Sequence, residues 1–142
     1  MGELSQSETL ECVVVAEDSA PNRKVLVLLL QKFGFEVIEC EDGDDAWRAI
    51  EEEYGKKNIV AVFSDLMMPK MDGLEFLRRV RNSERTRELP FVFVTAVSDA
   101  DYIMEARSLK SNGYILKPVT YQRLAAKLKE LFPERAFPQM AS

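Results

Sequence analysis

Histidine is missing from the 142-residue sequence, and cysteine, glycine, proline and tryptophan are scarce. Without histidine the chain lacks the commonest general base, metal ligand and phosphoryl carrier of proteins. Any chemistry therefore has to use carboxylates, hydroxyls and lysine. Six glycines and six prolines, with 46% hydrophobic and 30% charged residues, exclude disordered, collagen-like and low-complexity sequence. This length and composition predict one globular domain with a single core.

Long apolar runs are also absent. The longest one, Val25 to Leu30, is well short of the roughly twenty residues that a membrane helix needs. Cys12 and Cys40 lie far apart in a chain whose N-terminus does not resemble a signal peptide. These features predict core thiols in a reduced, cytoplasmic protein with no membrane association.

The charge balance argues against a polyanionic partner. Nineteen basic residues and 24 acidic ones give a formal net charge of −5. Such a balance provides no overall electrostatic attraction to nucleic acid or to anionic lipid. We therefore expect no nucleic-acid binding, and a divalent cation or a cationic partner fits the charge better.

Short apolar runs alternate with amphipathic segments along the chain. Residues 1–11 and 133–142 lack periodicity and are predicted to be N-terminal and C-terminal tails, which leaves a domain over residues 12–132. The predicted strands are 12–16, 35–40, 59–64, 91–95 and 114–116, and the predicted helices are 21–33, 44–54, 74–82, 99–108 and 120–132. Ser98 and Thr120 are predicted helix N-caps. Five repeats of strand and helix predict a parallel sheet covered on both faces.

The composition of the strands predicts their order in the sheet. Central parallel strands are apolar on both faces, whereas edge strands tolerate charge. The first, third and fourth predicted strands are continuously apolar, the second carries Glu36 and Glu39, and the fifth is very short. With right-handed crossovers the simplest order is 2-1-3-4-5, a doubly wound α/β fold of the flavodoxin-like type. Ligands should then bind at the carboxyl ends of the first and third strands.

Polar side chains stand at the carboxyl ends of four of these strands. Glu17 and Asp18 follow the first, Asp65 follows the third, Thr95 ends the fourth and Lys117 follows the fifth. Because neighbouring strands lie about 4.8 Å apart, the carboxylates can aim at one point, where they would repel each other. A hard divalent cation relieves that repulsion, and a site with few protein ligands suits Mg²⁺ better than Ca²⁺. The set predicts a phosphoryl site with Asp65 as its nucleophile.

Four motifs at these positions resemble the receiver domain of response regulators in two-component signalling. They are AEDS at 16–19, SDLMMPKMDG at 64–73, VTA at 94–96 and GYILKP at 113–118. The resemblance covers about residues 11–132 and implies a CheY-like fold. Receivers have the same strand order as the one predicted above from strand composition. The agreement between the two is therefore not independent evidence for that order.

The resemblance implies a role for each residue of the predicted site. Asp65 would accept the phosphoryl group, and Lys117 and Thr95 would hold its oxygens. The metal ligands that it implies are Asp18, Asp65 and the backbone carbonyl of Met67, with Glu17 acting through water. Most receivers carry aspartate at the first acidic position, and glutamate adds one methylene while keeping the charge.

The resemblance also implies a change of surface on phosphorylation. Thr95 would move toward the phosphoryl group, and Tyr114 would turn into the space behind it. The face made by the fourth helix, the fifth strand and the fifth helix would change, because phosphorylation biases an existing equilibrium. The Lys117–Pro118 peptide is expected to be cis, a state that only an X-Pro bond adopts at low cost.

Two apolar side chains are predicted to set the lifetime of the phosphoryl group. Met67 lies two residues after the acceptor, and Val97 lies two residues after Thr95. Neither can orient an attacking water through a strong hydrogen bond, and both can crowd its path. We therefore predict slow autodephosphorylation.

These features predict a signalling switch with no separate substrate, and hence no enzyme in the ordinary sense. The donor would be phosphohistidine on a histidine kinase or a histidine phosphotransfer protein, since the chain has no histidine. About ten residues after the fifth helix are too few for an output domain, so an unidentified downstream protein is expected to act in trans. A weak homodimer is compatible with the same interpretation.

Two other functions stay open at this point. A receiver-like module could bind proteins without phosphorylation, which an incomplete acidic pocket would favour. A phosphohydrolase on a similar sheet would use an aspartate after the first strand, here Asp18, as nucleophile. Labelling by a small phosphodonor, and the residue that carries the phosphate, distinguishes these functions.

Overall fold

The structure is a computed structural model, and it describes residues 10–135 and 137. Strands and helices alternate along this part of the chain. The strands are β1 (Glu11–Ala16), β2 (Glu36–Cys40), β3 (Asn58–Ser64), β4 (Phe91–Thr95) and β5 (Gly113–Leu116). The helices are α1 (Ala20–Lys32), α2 (Gly43–Glu53), α3 (Gly73–Asn82), α4 (Ala100–Ser108) and α5 (Tyr121–Leu131). Every boundary lies within one residue of its predicted position.

The strands form one parallel sheet in the order β2-β1-β3-β4-β5, which confirms the predicted order. Successive residues of β1 serve opposite faces of this sheet. Val14 belongs to a buried cluster with residues of α2, α3 and α4, whereas Val13 and Val15 belong to one with residues of α1 and α5. The doubly wound α/β fold is therefore confirmed, and the carboxyl ends of β1 and β3 lie side by side.

Both cysteines lie in the core. Cys12 and Cys40 are buried and unpaired. Burial raises the pKa of the Cys12 thiol to about 11 and that of the Cys40 thiol to about 12. The prediction of core thiols is therefore confirmed, and both sulfurs are protonated at neutral pH.

The longest apolar run of the sequence lies in α1. Leu26, Val27 and Leu30 are buried against the sheet, whereas Val25 and Leu28 are about half exposed. The apolar surface of α1 is therefore wider than its buried face, unlike that of an ordinary surface helix. Within residues 10–135 and 137, no helix has both the length and the apolar character that a membrane span requires.

The N-caps of the last two helices test two predictions. Thr120 caps α5, and its hydroxyl oxygen accepts a hydrogen bond from the Arg123 N–H at 3.2 Å. Ser98 does not cap α4, because Asp99 takes that position and its carboxylate accepts from the Asp101 N–H at 2.9 Å. Serine and aspartate are comparable caps, so the sequence pattern alone could not choose between two adjacent candidates.

The described residues just after α5 pack against the domain. Arg135 pairs with the Glu11 carboxylate and donates to the carbonyls of Phe33 and Gly34 at 3.0 and 3.5 Å. Its guanidinium carbon lies 4.2 Å from the centroid of the Phe35 ring. The predicted tails therefore extend too far at both ends, since Glu11 belongs to β1 and Arg135 belongs to the packed body. Residues 1–9, 136 and 138–142 of those tails lie outside the described part of the chain.

We expect Arg135→Ala to lower the free energy of unfolding by about 1–2 kcal/mol, because hydrogen bonds and a cation–π contact each contribute up to about 1 kcal/mol. Chemical denaturation followed by circular dichroism measures the change. Glu134→Ala, at an exposed neighbouring residue, is the matched control and should stay within about 0.5 kcal/mol of the parent protein. Equal losses in the two variants would show that the contacts of Arg135 do not stabilise the domain.

Candidate functional site

Three carboxylates meet where β1 and β3 end. Glu17 and Asp18 follow β1, and Asp65 follows β3. One oxygen of each carboxylate lies within 4.8 Å of the other two. The sheet register explains this arrangement, because Ala16 pairs with Ser64 and the residues that follow are therefore neighbours. The structure thus places at one point the three carboxylates that the sequence analysis had singled out.

A lysine at the end of the edge strand β5 pairs with two of these carboxylates. Glu17 is 3% exposed and Asp65 is 9% exposed, whereas Asp18 is exposed. Buried carboxylates are unfavourable unless an opposite charge accompanies them. From the end of β5, Lys117 Nζ donates to Glu17 Oε1 at 2.7 Å and to Asp65 Oδ2 at 2.9 Å. The resemblance implied that Lys117 lies beside the phosphoryl group on Asp65, but it did not imply the direct bond to Glu17.

Burial and hydrogen bonding shift the pKa values of Glu17 and Lys117. Burial raises the pKa of Glu17, although hydrogen bonds from Lys117 and from the Ser19 N–H act to lower it. Burial also acts to lower the pKa of Lys117, but its bonds to Glu17 and Asp65 outweigh burial, and the pKa is raised. Lys117 is therefore protonated at neutral pH, and additional positive charge would stabilise the Glu17 carboxylate further.

Backbone hydrogen bonds fix the position of Asp65, the candidate phosphoacceptor. The Leu66 N–H donates to Asp65 Oδ1 at 2.6 Å, and the Asp65 N–H donates to the Ala16 carbonyl at 2.9 Å. The N-terminus of α3 lies close behind it, because the Gly73 N–H donates to the Leu66 carbonyl at 2.7 Å. A Cβ atom on Gly73 would lie 2.3 Å from the Asp65 carbonyl oxygen. Glycine is thus required at residue 73 for this approach.

Two hydrogen bonds link Thr95 to Tyr114 through the Val97 peptide groups. Thr95 is buried at the end of β4, and its hydroxyl oxygen accepts from the Val97 N–H at 3.3 Å. The hydroxyl of the half-buried Tyr114 donates to the Val97 carbonyl at 2.8 Å. Burial raises the pKa of Tyr114, which keeps this phenol a donor. The loop between β4 and α4 is therefore bonded to both predicted switch residues.

Two further predicted positions border the site. Met67 is 53% exposed, in the loop between β3 and α3. Its backbone carbonyl accepts no backbone hydrogen bond within the described residues, so its lone pairs are available. The Lys117–Pro118 peptide is cis, the isomer that the resemblance implied, and the Lys117 N–H donates to the Thr95 carbonyl at 2.9 Å.

Comparison with known proteins assigns this arrangement to a family. The model of the response regulator receiver domain matches residues 13–129. The chain belongs to the response regulator receiver family. Chemotaxis protein CheY of Pseudomonas aeruginosa is 34% identical to this receiver over 121 residues, covering 84% of this chain and 94% of the relative. Chemotaxis protein CheY1 of Helicobacter pylori is 31% identical over 118 residues, covering 82% and 93%.

The fold comparison agrees with the family assignment. The structure of the chemotaxis response regulator CheY4 of Vibrio cholerae matches this receiver with a TM-score of 0.76 and 26% sequence identity. The match covers 87% of this chain and 99% of the CheY4 chain. The resemblance and the CheY-like, flavodoxin-like topology predicted from the sequence are thus confirmed, and the protein is a receiver domain of two-component signalling.

Two residues that the sequence analysis did not single out contact Glu17 in residues 17–19, the loop between β1 and α1 that we call the acidic loop. The Ser19 N–H donates to Glu17 Oε2 at 3.0 Å, and Ser19 also caps α1. Arg23 NH1, one turn into α1, donates to the Glu17 carbonyl at 2.7 Å. A cap residue before a helix was a usable signal for Ser19. No sequence pattern marked Arg23, because its contact depends on the direction in which α1 leaves β1.

A second group of acidic residues is explained by helix capping. Oxygens of Asp42, Asp44 and Asp45 lie within 4.8 Å of one another at the start of α2. The Asp42 carboxylate accepts from the Asp45 N–H at 2.8 Å as the N-cap of that helix. Asp44 pairs with Arg48 one turn later. Carboxylates are stabilised at a helix N-terminus by its dipole, so this group needs no bound ion.

Proposed function

We propose that this receiver is a phosphorylation-controlled switch that accepts a phosphoryl group from phosphohistidine of a partner onto Asp65. The observation that carries the proposal is the environment of the Asp65 carboxylate. It is nearly buried, bonded to Lys117 Nζ at 2.9 Å, and adjacent to the carboxylates of Glu17 and Asp18. A nucleophilic carboxylate beside a fixed cation at the edge of a sheet is suited to phosphoryl transfer.

In the proposed transfer, a carboxylate oxygen of Asp65 forms a bond to phosphorus while the phosphorus–nitrogen bond of the donor breaks. The imidazole leaves with the bonding electron pair and takes up a proton. Lys117 is placed to neutralise the phosphoryl oxygens, because its ammonium group already contacts Asp65 Oδ2. Hydrolysis of the acyl phosphate regenerates the carboxylate, so the chain acts on itself and turns over no separate substrate.

The donor set at this site fits Mg²⁺. Three carboxylate oxygens within 4.8 Å of one another, beside an available backbone carbonyl, are the hard oxygen ligands that this ion prefers. Asp18, Asp65 and the Met67 carbonyl would hold it directly, and Glu17 would act through water. The bond between Glu17 and Lys117 supports that indirect role. When bound, Mg²⁺ supplies positive charge that stabilises the transferred phosphoryl group.

The bonds around Val97 suggest how the modification changes the surface. The Thr95 hydroxyl oxygen accepts a hydrogen bond from the Val97 N–H at 3.3 Å. This bond breaks when the hydroxyl turns toward a phosphoryl oxygen. The Val97 carbonyl is the acceptor for Tyr114 at 2.8 Å, so movement of this loop releases the tyrosine. In the proposed switch Tyr114 then repacks, and the face of α4, β5 and α5 changes with it.

The proposed partners are a phosphodonor and a downstream protein. A histidine kinase or a histidine phosphotransfer protein would supply the phosphoryl group. The downstream protein would recognise the face of α4, β5 and α5, where Met104 and Leu116 are 66% and 38% exposed. A weak homodimer is compatible with the same proposal. Buried free thiols at Cys12 and Cys40 are compatible with a reducing, cytoplasmic compartment.

Labelling with acetyl phosphate tests the proposal. The protein should take up one phosphoryl group per chain in the presence of Mg²⁺ and none in EDTA, and peptide mapping should locate it on Asp65. Phosphate on Asp18 would instead favour a phosphohydrolase. Failure to label, with partner binding intact, would favour a binding module that works without phosphorylation.

The exposed Met67 side chain leads to a prediction about phosphoryl lifetime. Met67→Asn should make autodephosphorylation several-fold faster, because an amide can hydrogen-bond and orient the attacking water, which a thioether cannot. Decay of the phosphorylated protein after removal of the donor gives the rate. Met104→Asn, the same change at an exposed methionine of α4, is the control and should leave the rate unchanged. A slower or equal decay in Met67→Asn would contradict the prediction.

A further inference from the structure

Arg23 connects the acidic loop to two neighbouring elements. It lies in the first turns of α1, and its side chain is only 16% exposed. Its NH1 donates to the Glu17 carbonyl at 2.7 Å, and its Nε lies 3.6 Å from Glu39 Oε1 on β2. One guanidinium therefore joins β2 and α1 to the residue that begins the acidic loop.

Hydrogen bonds hold the Glu17 backbone at both its N–H and its carbonyl. Its N–H donates to the Cys40 carbonyl at 3.0 Å, and its carbonyl accepts from Arg23. The peptide group is planar, so a fixed Glu17 carbonyl also fixes the Asp18 nitrogen and the plane from which Asp18 projects. Among residues 10–135 and 137, no group donates a hydrogen bond to the exposed Asp18 carboxylate. The position from which this side chain extends is therefore set by the Glu17–Asp18 peptide.

We infer that Arg23 is a positioning residue that orients the Glu17–Asp18 peptide so that both side chains face the metal position. The inference rests on the proposed function, because it concerns the Mg²⁺ that the acidic cluster would hold. Lys117 Nζ and the Ser19 N–H hold the Glu17 carboxylate separately, whereas nothing comparable holds Asp18 within the described residues, so the peptide between them decides how their oxygens converge.

Removal of Arg23 should change the Mg²⁺ affinity in one direction if the residue acts through its charge, and in the opposite direction if it positions the peptide. A guanidinium near a cation site repels the incoming ion, so loss of its charge alone would make Mg²⁺ bind more tightly. Loss of its hydrogen bond would let the peptide rotate and would make Mg²⁺ bind more weakly, as happens when outer partners of metal ligands are removed. The sign of the change in Mg²⁺ affinity therefore separates the two effects.

The geometry of the contact favours arginine over lysine. The guanidinium presents donors in two directions from one rigid plane, and here they face the Glu17 carbonyl and the Glu39 carboxylate. An ammonium group would keep the charge but would not hold both acceptors in fixed directions. Arg23→Lys should therefore restore only part of the affinity that Arg23→Met loses.

Mg²⁺ titration of the full chain by isothermal titration calorimetry tests the inference. We expect Arg23→Met to bind Mg²⁺ about tenfold more weakly than the parent, the effect typical of outer partners of metal ligands. Lys24→Met removes the same charge from the exposed neighbouring position and is the matched control. Glu39→Gln keeps the bond to the Glu17 carbonyl. Both controls should stay within about twofold of the parent, since exposed charges are well screened.

Each outcome bears on one claim. Equal or tighter Mg²⁺ binding by Arg23→Met, or an equal loss in Lys24→Met, overturns the positioning role while the proposed function stands. Absence of Mg²⁺ binding by the parent protein contradicts the proposed metal site itself. If Arg23→Met does not fold, the affinity of Arg23→Lys decides, and parent-like binding by that variant overturns the inference.

Discussion

Asp65→Asn is expected to abolish phosphorylation by acetyl phosphate in the presence of Mg²⁺. Asparagine matches aspartate in size and keeps an oxygen for the Leu66 N–H, which donates to Oδ1 at 2.6 Å. It removes the anionic oxygen that Lys117 contacts at 2.9 Å, and a neutral amide is a poor nucleophile toward phosphorus. Intact-protein mass spectrometry after incubation with the donor measures the phosphorylated fraction, which should fall to the background level.

The same substitution at a distant residue controls for the loss of one negative charge. Asp101→Asn, in the first turn of α4 and exposed, should be phosphorylated as fast as the parent protein. Circular dichroism should show that Asp65→Asn is folded, because the change leaves Glu17 to pair with Lys117. Labelling of Asp65→Asn at the rate of the parent would contradict the assignment, and its location on Asp18 would identify a different nucleophile.

The fold could be predicted because its signals are periodic and redundant. Continuous apolar runs identified β1, β3 and β4 as central strands, and glutamates identified β2 as an edge. The acidic cluster then followed from topology alone, since parallel neighbours end at the same edge of a sheet. For this reason Asp18 and Asp65 could be brought together although 46 residues separate them in the sequence.

Contacts made by single side chains across the fold could not be predicted in this way. Arg135 reaches Glu11, and Arg23 reaches the Glu17 carbonyl, without any repeating pattern in the sequence. The bond between Lys117 and Glu17 likewise joins two side chains from separate strand ends, and no periodic pattern predicts it. Strand order locates such residues to within one strand spacing, about 4.8 Å, whereas a hydrogen bond requires placement to a fraction of that distance.

Lys117→Met should lower the free energy of unfolding by about 3 kcal/mol without divalent ions, the typical cost of removing one partner from a buried ion pair. The loss is large because Nζ contacts two carboxylates, and the side chains of Lys117, Glu17 and Asp65 are only 18%, 4% and 11% exposed. Methionine keeps most of the volume of the stem, so the change reports mainly on charge. Lys129→Met, at an exposed residue of α5, is the control and should stay within about 0.5 kcal/mol of the parent.

The dependence of this loss on pH and on Mg²⁺ tests its cause. Burial already raises the pKa of Glu17, and the variant removes the lysine that acts to lower it, so that pKa should rise further. A carboxyl with a raised pKa in the folded state destabilises the fold at pH values above that pKa and ceases to do so once protonated. The deficit of Lys117→Met should therefore shrink as the pH falls from neutrality toward the raised pKa of Glu17. Mg²⁺ at neutral pH should raise the Tm of the variant more than that of the parent. A deficit that is independent of both pH and Mg²⁺ would mean that Lys117 stabilises the domain by packing and not by neutralising the acidic cluster.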